Sequence, residues 1–205
     1  MAKTVDPQQT LQQFLPLVRD GKIEALEELW LDQQALLPAN PDFFKILMQA
    51  MRKADMLDRA ESLLALLVEE RLKDRGPREA LKILLAVLSF FPQSAALRPL
   101  LVKSLRRHHA SIPEADQFIR LAGLEGDGSL VEGYKTFRDW TRLAPGQVYQ
   151  HYDWGEGIVQ KLDVAGGKVT LAFPKDPEKV MTLEGVRKFL AYIEPRHFLA
   201  RRAKD

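Results

Sequence analysis

The sequence predicts a mainly helical chain with a small β domain near its C-terminal end. Apolar residues recur at helical spacing from about residue 7 to residue 143, and from about 146 to 194 the spacing shortens to the alternation of strands. The change falls at Leu143-Ala144-Pro145-Gly146, where Pro-Gly is strong turn punctuation. The expected organisation is a helical domain over 7–143, a β domain over 146–195 and a basic tail over 196–205.

Within the helical part, Pro7, Pro41, Pro77 and Pro113 stand 34, 36 and 36 residues apart, each before an apolar helix-forming run. Proline suits a first helical position, because its missing N–H would lack a partner there anyway. Asp6 and Asn40 precede two of these prolines and are good caps. Breaks near Asp20-Gly21, Ala54-Asp55, Phe91-Pro92 and Gly123–Gly128 divide each period into two helices. Paired helices at a period of 34–36 residues are the mark of a tetratricopeptide-like α-solenoid, although no Trp–Leu–Gly–Tyr series is in register. Pro99 fits a first turn, and Pro16 is expected to kink or fray its helix. Leu63, Leu64, Leu66, Leu67 and Val68 leave little polar surface, as do Leu81, Ile83, Leu84, Leu85, Val87 and Leu88, so these helices should be covered on both sides. The glycine-rich loop 123–129 has no Gly-Lys-Ser/Thr and no preceding strand, so it reads as a helix linker with Ser129 as a cap. Leu130, Tyr134 and Phe137 then give the next helix one apolar face, expected to dock on the β domain.

In the β part, strands are expected at Gln147–Tyr152, Gly157–Val164, Lys168–Phe173, Val180–Thr182 and Tyr192-Ile193. Gly155 and Gly157 flank Glu156 in a tight turn, Ala165-Gly166-Gly167 closes a hairpin, and Pro174–Glu178 reads as a loop. Thr182 or a neighbour should cap a short helix through Phe189. Five short strands with one helical turn fit an SH3-like or Tudor-like barrel, a recognition fold. Its core needs large side chains, for which Tyr149 and Phe173 are the candidates; Tyr152 and Trp154 are left as surface candidates.

On Trp154-Gly155-Glu156-Gly157, the Lys179–Leu183 segment and the ending His197-Phe198-Leu199-Ala200-Arg201-Arg202, the stretch 146–202 resembles the domain preceding the Gre-factor part of long bacterial Gre-type transcription elongation factors. The resemblance covers about a quarter of the chain and implies a module associated with RNA polymerase or nucleic acid. Gre factors act through acidic residues at the tip of a long coiled coil; this sequence has no such coiled coil, so transcript cleavage is not implied.

Composition narrows the function further. The hydrophobic fraction of 46% and charged fraction of 28% are ordinary for a globular protein, and a net charge of +2 does not by itself imply nucleic-acid binding. With no cysteine, thiolate catalysis and cysteine-held zinc are excluded. No signal-type segment follows Met1, and no apolar run reaches the roughly 20 residues of a membrane helix, so a cytoplasmic protein without membrane contact is expected. His108 and His109 are adjacent and cannot chelate one metal as an i, i+4 pair does; His108 shares a helix side with Leu97, Leu101 and Leu105 and is expected to be semi-buried. No nucleophile elbow, acidic cluster or metal constellation is present. The expectation is a non-enzyme with no cofactor and no small-molecule substrate. Two basic clusters remain. Arg98, Lys103, Arg106 and Arg107 on one helix are candidate phosphate contacts, and Arg196, His197, Arg201 and Arg202, with Lys204, join Tyr152 and Trp154 as candidate partner contacts. The preferred partner is RNA polymerase or its DNA or RNA. The alternatives are a protein scaffold with a peptide in its helical groove, and an RNA-binding module that uses the basic clusters.

Overall fold

Proline starts a helix at Pro7, Pro41 and Pro77, and a polar side chain caps the first two. The computed structural model of the chain describes residues 6–203. Helix α1 (Pro7–Arg19) opens with the Asp6 carboxylate accepting the Gln8 N–H at 3.0 Å. Helix α3 (Pro41–Lys53) opens with the Asn40 side chain accepting from Asp42 and Phe43 at 2.9 and 3.4 Å. Helix α5 (Pro77–Val87) begins on its proline, and α7 (Ala115–Leu121) begins two residues after Pro113. The second member of each pair is α2 (Ile23–Gln33), α4 (Leu57–Asp74), α6 (Leu97–His108) and α8 (Leu130–Thr141). A single 3-10 turn, Gln34–Leu36, continues α2. Pro16 lies inside α1, and the α3–α4 break places Asp55 in the left-handed region at φ 57°.

Helix α1 packs on α2 and α3, α3 on α4 and α5, and α6 on α4 and α5. Phe14, Trp30, Phe43 and Phe44 meet edge to face between the first helices, at centroid separations of 5.0–6.5 Å. Leu63, Leu64, Leu67 and Val68 of α4 are buried, but Leu66 is 51% exposed. It lies two residues beyond Leu64, about 200° round the helix, so that side of α4 is not covered.

Successive pairs are also tied by polar bonds at the repeat spacing. Arg71, 3% exposed, donates Nη1 to the Ala35 carbonyl at 3.3 Å and Nη2 to the Gln34 and Leu37 carbonyls at 2.7 and 3.0 Å. Arg107, 36 positions later, donates Nη1 to the Leu72 carbonyl at 2.7 Å. Each guanidinium satisfies carbonyls near the C-terminal end of the preceding pair, where a helix leaves acceptors without intrahelical partners.

The chain divides into two compact units. One runs to Ala110 and takes in Asp127–Val131; the other comprises Ser111–Gly126 and the chain from Glu132 onward. The short segment joins the first unit because Arg98 donates to the Gly128 carbonyl at 2.6 Å and the Leu130 N–H to the Pro92 carbonyl at 2.6 Å. The division therefore does not fall at Pro145-Gly146, where the sequence period changes. Among the described residues no helix is long and apolar enough to cross a membrane.

In the second unit, β1 (Val148–His151), β2 (Gly155–Asp163), β3 (Lys168–Phe173), β4 (Asp176–Thr182) and β5 (Ala191–Ile193) form one antiparallel sheet in the order β4-β3-β2-β1-β5. Tyr149, Val159, Val169, Leu171 and Phe173 are buried on it. Strand β4 is longer than expected: only Pro174-Lys175 turns, and pairing resumes at Asp176 opposite Phe173. Thr182 caps α9 (Leu183–Phe189) by accepting the Gly185 N–H at 3.0 Å. The residues expected as a tail contain a further helix, α10 (Phe198–Arg202), whose Ala200 is buried with Val148 of β1 and Ile193 of β5.

Candidate functional site

The hairpin between β1 and β2 turns through Tyr152-Asp153-Trp154. His151 shapes it, its Nδ1 accepting the Asp153 N–H at 3.1 Å. Gly155 completes the turn at φ 77°, a conformation that costs an L residue about 1–2 kcal/mol. Gly157 does a different job from the one its spacing suggests. It lies within β2 without a positive φ, and a Cβ there would stand 2.5 Å from the Phe173 ring. One glycine makes the turn and the other makes room for the core.

This geometry separates two aromatic residues that look equivalent in sequence. Tyr152 is 98% exposed at the tip of the turn. Trp154 is only partly exposed and already has partners. The His151 imidazole stacks on it at 3.8 Å and 10°, the Lys179 ammonium sits 4.5 Å from its ring centroid, and Phe173 meets it edge-on at 5.4 Å. A base stacking on Trp154 would compete with groups of this chain, whereas Tyr152 is open.

Helix α10 brings the basic cluster to the same hairpin. His197 caps it, Nδ1 accepting the Leu199 N–H at 3.3 Å, and burial of Ala200 seats it on β1 and β5. Arg202 then donates Nη2 to Glu156 Oε1 at 2.5 Å, and Glu156 faces Gln150 across the hairpin. Arg196, Arg201 and Arg202 are exposed, as is Phe198, whose ring lies 4.8 Å from that of His197. One contact, Arg202 to Glu156, thus ties α10 with its exposed Phe198 and Arg201 to the hairpin that carries the open Tyr152. Lys204 lies outside the described residues.

The α6 cluster is partly committed to the fold. Arg98 and Arg107 donate to the Gly128 and Leu72 carbonyls, and Lys103 and Arg106 are both exposed. His108 is exposed rather than semi-buried although it shares a side with Leu97, Leu101 and Leu105: it is the last residue of α6, beyond the buried stretch that stops at Leu105, and His109 is the half-buried member. Their rings meet edge to face at 4.8 Å. Burial, and then the neighbouring His108, push the His109 pKa below its ordinary 6.5. Among the described residues no cluster of histidine and acidic side chains could hold a metal ion.

Sequence reasoning missed a cavity of about 300 Å³ in the second unit, walled by Trp140, Leu143, Tyr149, Val186, Leu190 and Tyr192, with Arg142 and Arg187 also lining it. The spacing of aromatic residues over 134–149 was its only sequence signal, and that read equally well as core. No known family model, curated protein or solved structure matches this chain.

Proposed function

We propose that the chain is a non-enzymatic, transcription-associated accessory protein that binds RNA polymerase or its nucleic acid through its C-terminal β unit. The observation that carries this reading is Tyr152, fully open at the tip of a hairpin to which Arg202 of α10 is tied through Glu156. Exposed aromatic rings with flanking cations suit both a stacked base with its phosphates and a protein hot spot. The return of β5 beside β1 after α9 supports an SH3-like or Tudor-like barrel. The packing of α1 on α3 and α3 on α5 supports a tetratricopeptide-like solenoid for the helix pairs. The resemblance of 146–202 to the domain preceding the Gre-factor part of elongation factors supplies the transcription context.

The test is affinity capture from the source cell with and without nuclease. Polymerase subunits should be retained, and Tyr152→Ala and the double change Arg201→Ala, Arg202→Ala should each reduce them. Retention that survives nuclease assigns the contact to protein; loss on nuclease assigns it to nucleic acid. Equal capture by wild type and both variants would refute the site.

A second reading has its own observation. A groove of about 640 Å³ in the first unit runs between α1 and α3, with Leu15, Pro16 and Ala50 in its walls and Arg19 and Lys53 beside them. This favours a scaffold that holds a peptide along its helices, and such a protein would keep its partner when Tyr152 is replaced.

A further inference from the structure

Two residues that line the cavity in the second unit carry unpaired polar groups. Tyr149 is 4% exposed and Trp140 5%, yet the Tyr149 hydroxyl and the Trp140 Nε1–H have no hydrogen-bond partner. Buried polar groups are nearly always paired, because an unmade bond costs about 1–3 kcal/mol. Here two such groups belong to residues lining one cavity. The neighbouring Tyr192 is not in this position: its hydroxyl donates to Gln147 Oε1 at 3.3 Å.

The chemistry of the walls specifies what would answer them. The indole N–H is a donor only. Burial, and then Tyr192, push the Tyr149 pKa far above its ordinary value, so its hydroxyl keeps its proton and also donates. The indole therefore needs an acceptor, and the hydroxyl can donate to the same kind of group. Arg142 lies 4.9 Å over the Tyr192 ring, and Arg187 donates to Thr136 at 2.7 Å and Glu184 at 3.3 Å, so two guanidinium groups flank the same space. Of the acids lining the cavity, Asp139 is paired with Arg138 at 3.2 Å and Glu194 with Arg142 at 4.0 Å. Leu143, Val186 and Leu190 supply the apolar wall. A volume of about 300 Å³ stands at the small end of ligand pockets, too small for a nucleotide and suited to a fragment.

We infer that this cavity binds a compact apolar acid, its carboxylate accepting from Trp140 and Tyr149 beside the two arginines and its apolar body lying against the leucines. Both donor atoms are closed off from solvent in the free chain, so binding requires the cavity wall to give way until the carboxylate meets them. The sequence suggested no small-molecule substrate; the site points to a bound ligand rather than to a reaction. A free acid and the C-terminal carboxylate of a peptide share this chemistry.

Two probes distinguish the sources: phenylacetate and N-acetyl-glycyl-phenylalanine, with phenylacetamide as the neutral control. The readout is the indole N–H resonances of the ¹⁵N-labelled full chain, assigned with Trp140→Phe. Titration should move the Trp140 signal downfield and leave that of Trp30 in place. The probe that binds at least about tenfold tighter identifies the source, and equal affinity means the site reads only the shared acid. Tyr149→Phe should weaken binding about tenfold without lowering the melting temperature, because it removes an unpaired hydroxyl. Arg142→Gln should weaken it further. A Trp140 signal unmoved by both acids at millimolar concentration would overturn the proposal. So would phenylacetamide binding as well as phenylacetate, or Tyr149→Phe binding as well as wild type.

Discussion

Replacing Arg71 tests how the helix pairs are joined. The residue is 3% exposed, and its guanidinium gives three hydrogen bonds to the carbonyls of Gln34, Ala35 and Leu37, at 2.7–3.3 Å. Arg71→Ala removes all three and leaves their acceptors short of a donor around the 3-10 turn. Hydrogen bonds from a charged group contribute about 1.5–3 kcal/mol each, and bonds sharing one donor do not add in full. The variant leaves no buried charge, only neutral carbonyls whose lost bonds cost about 1–3 kcal/mol each and do not add in full, so a loss of about 2–4 kcal/mol is expected. Arg71→Lys keeps the charge but not the planar fork that spans three acceptors, so it should cost about half as much. Urea unfolding followed by far-ultraviolet circular dichroism reads the difference as a fall in midpoint at constant slope. A loss below about 1 kcal/mol for Arg71→Ala, or a lysine variant as damaged as the alanine one, would refute the reasoning.

Gly157→Ala should destabilise the sheet by about 1–3 kcal/mol through overpacking on Phe173, and Phe173→Leu in the same chain should recover part of it; Gly155→Ala should not be rescued this way, since its cost is backbone strain, as a double-mutant cycle by thermal melting would show. Tyr152→Ala should leave stability within about 0.5 kcal/mol, whereas Trp154→Ala should lose about 1–3 kcal/mol with its Phe173, His151 and Lys179 contacts; equal melting temperatures for the two variants would contradict this. Because the folded state lowers the pKa of His109, the unfolded chain binds more protons below the ordinary value of 6.5. That part of the stability is whole above pH 6.5 and is lost as the pH falls through and below this value, so His109→Gln should flatten the acid side of a midpoint-against-pH profile relative to wild type.

The features legible in the sequence are those written locally. Lys168–Phe173 alternates cleanly and is a strand with those bounds; Asp6 and Asn40 cap the helices their prolines start. Gly157 was misread because its reason is a ring sixteen positions further on, where spacing holds no information. Helix α10 is too short to show a period, and only burial of Ala200 beside β1 and β5 fixes it. Trp154 beside a glycine turn reads as exposed until His151, Lys179 and Phe173 close around it. Arg71 looks like any charged residue on a helix, although its distance of 36 from Arg107 equals the spacing of Pro41, Pro77 and Pro113 and was readable as a repeated position. The cavity joins Trp140, Tyr149 and Tyr192 from three elements, and no local pattern brings these together.

The arginine ties also give the helix pairs a polarity. Each reaches backwards, from a later pair to carbonyls of the one before: Arg71 to Gln34, Ala35 and Leu37, then Arg107 to Leu72. Trimming the pairs from the C-terminal side takes away a donor and leaves carbonyls that water can hydrate. Trimming from the N-terminal side through Leu37 instead removes the three acceptors and leaves the Arg71 guanidinium to be hydrated in their place. A chain emerging from the ribosome thus has the acceptors in place before each arginine arrives to use them.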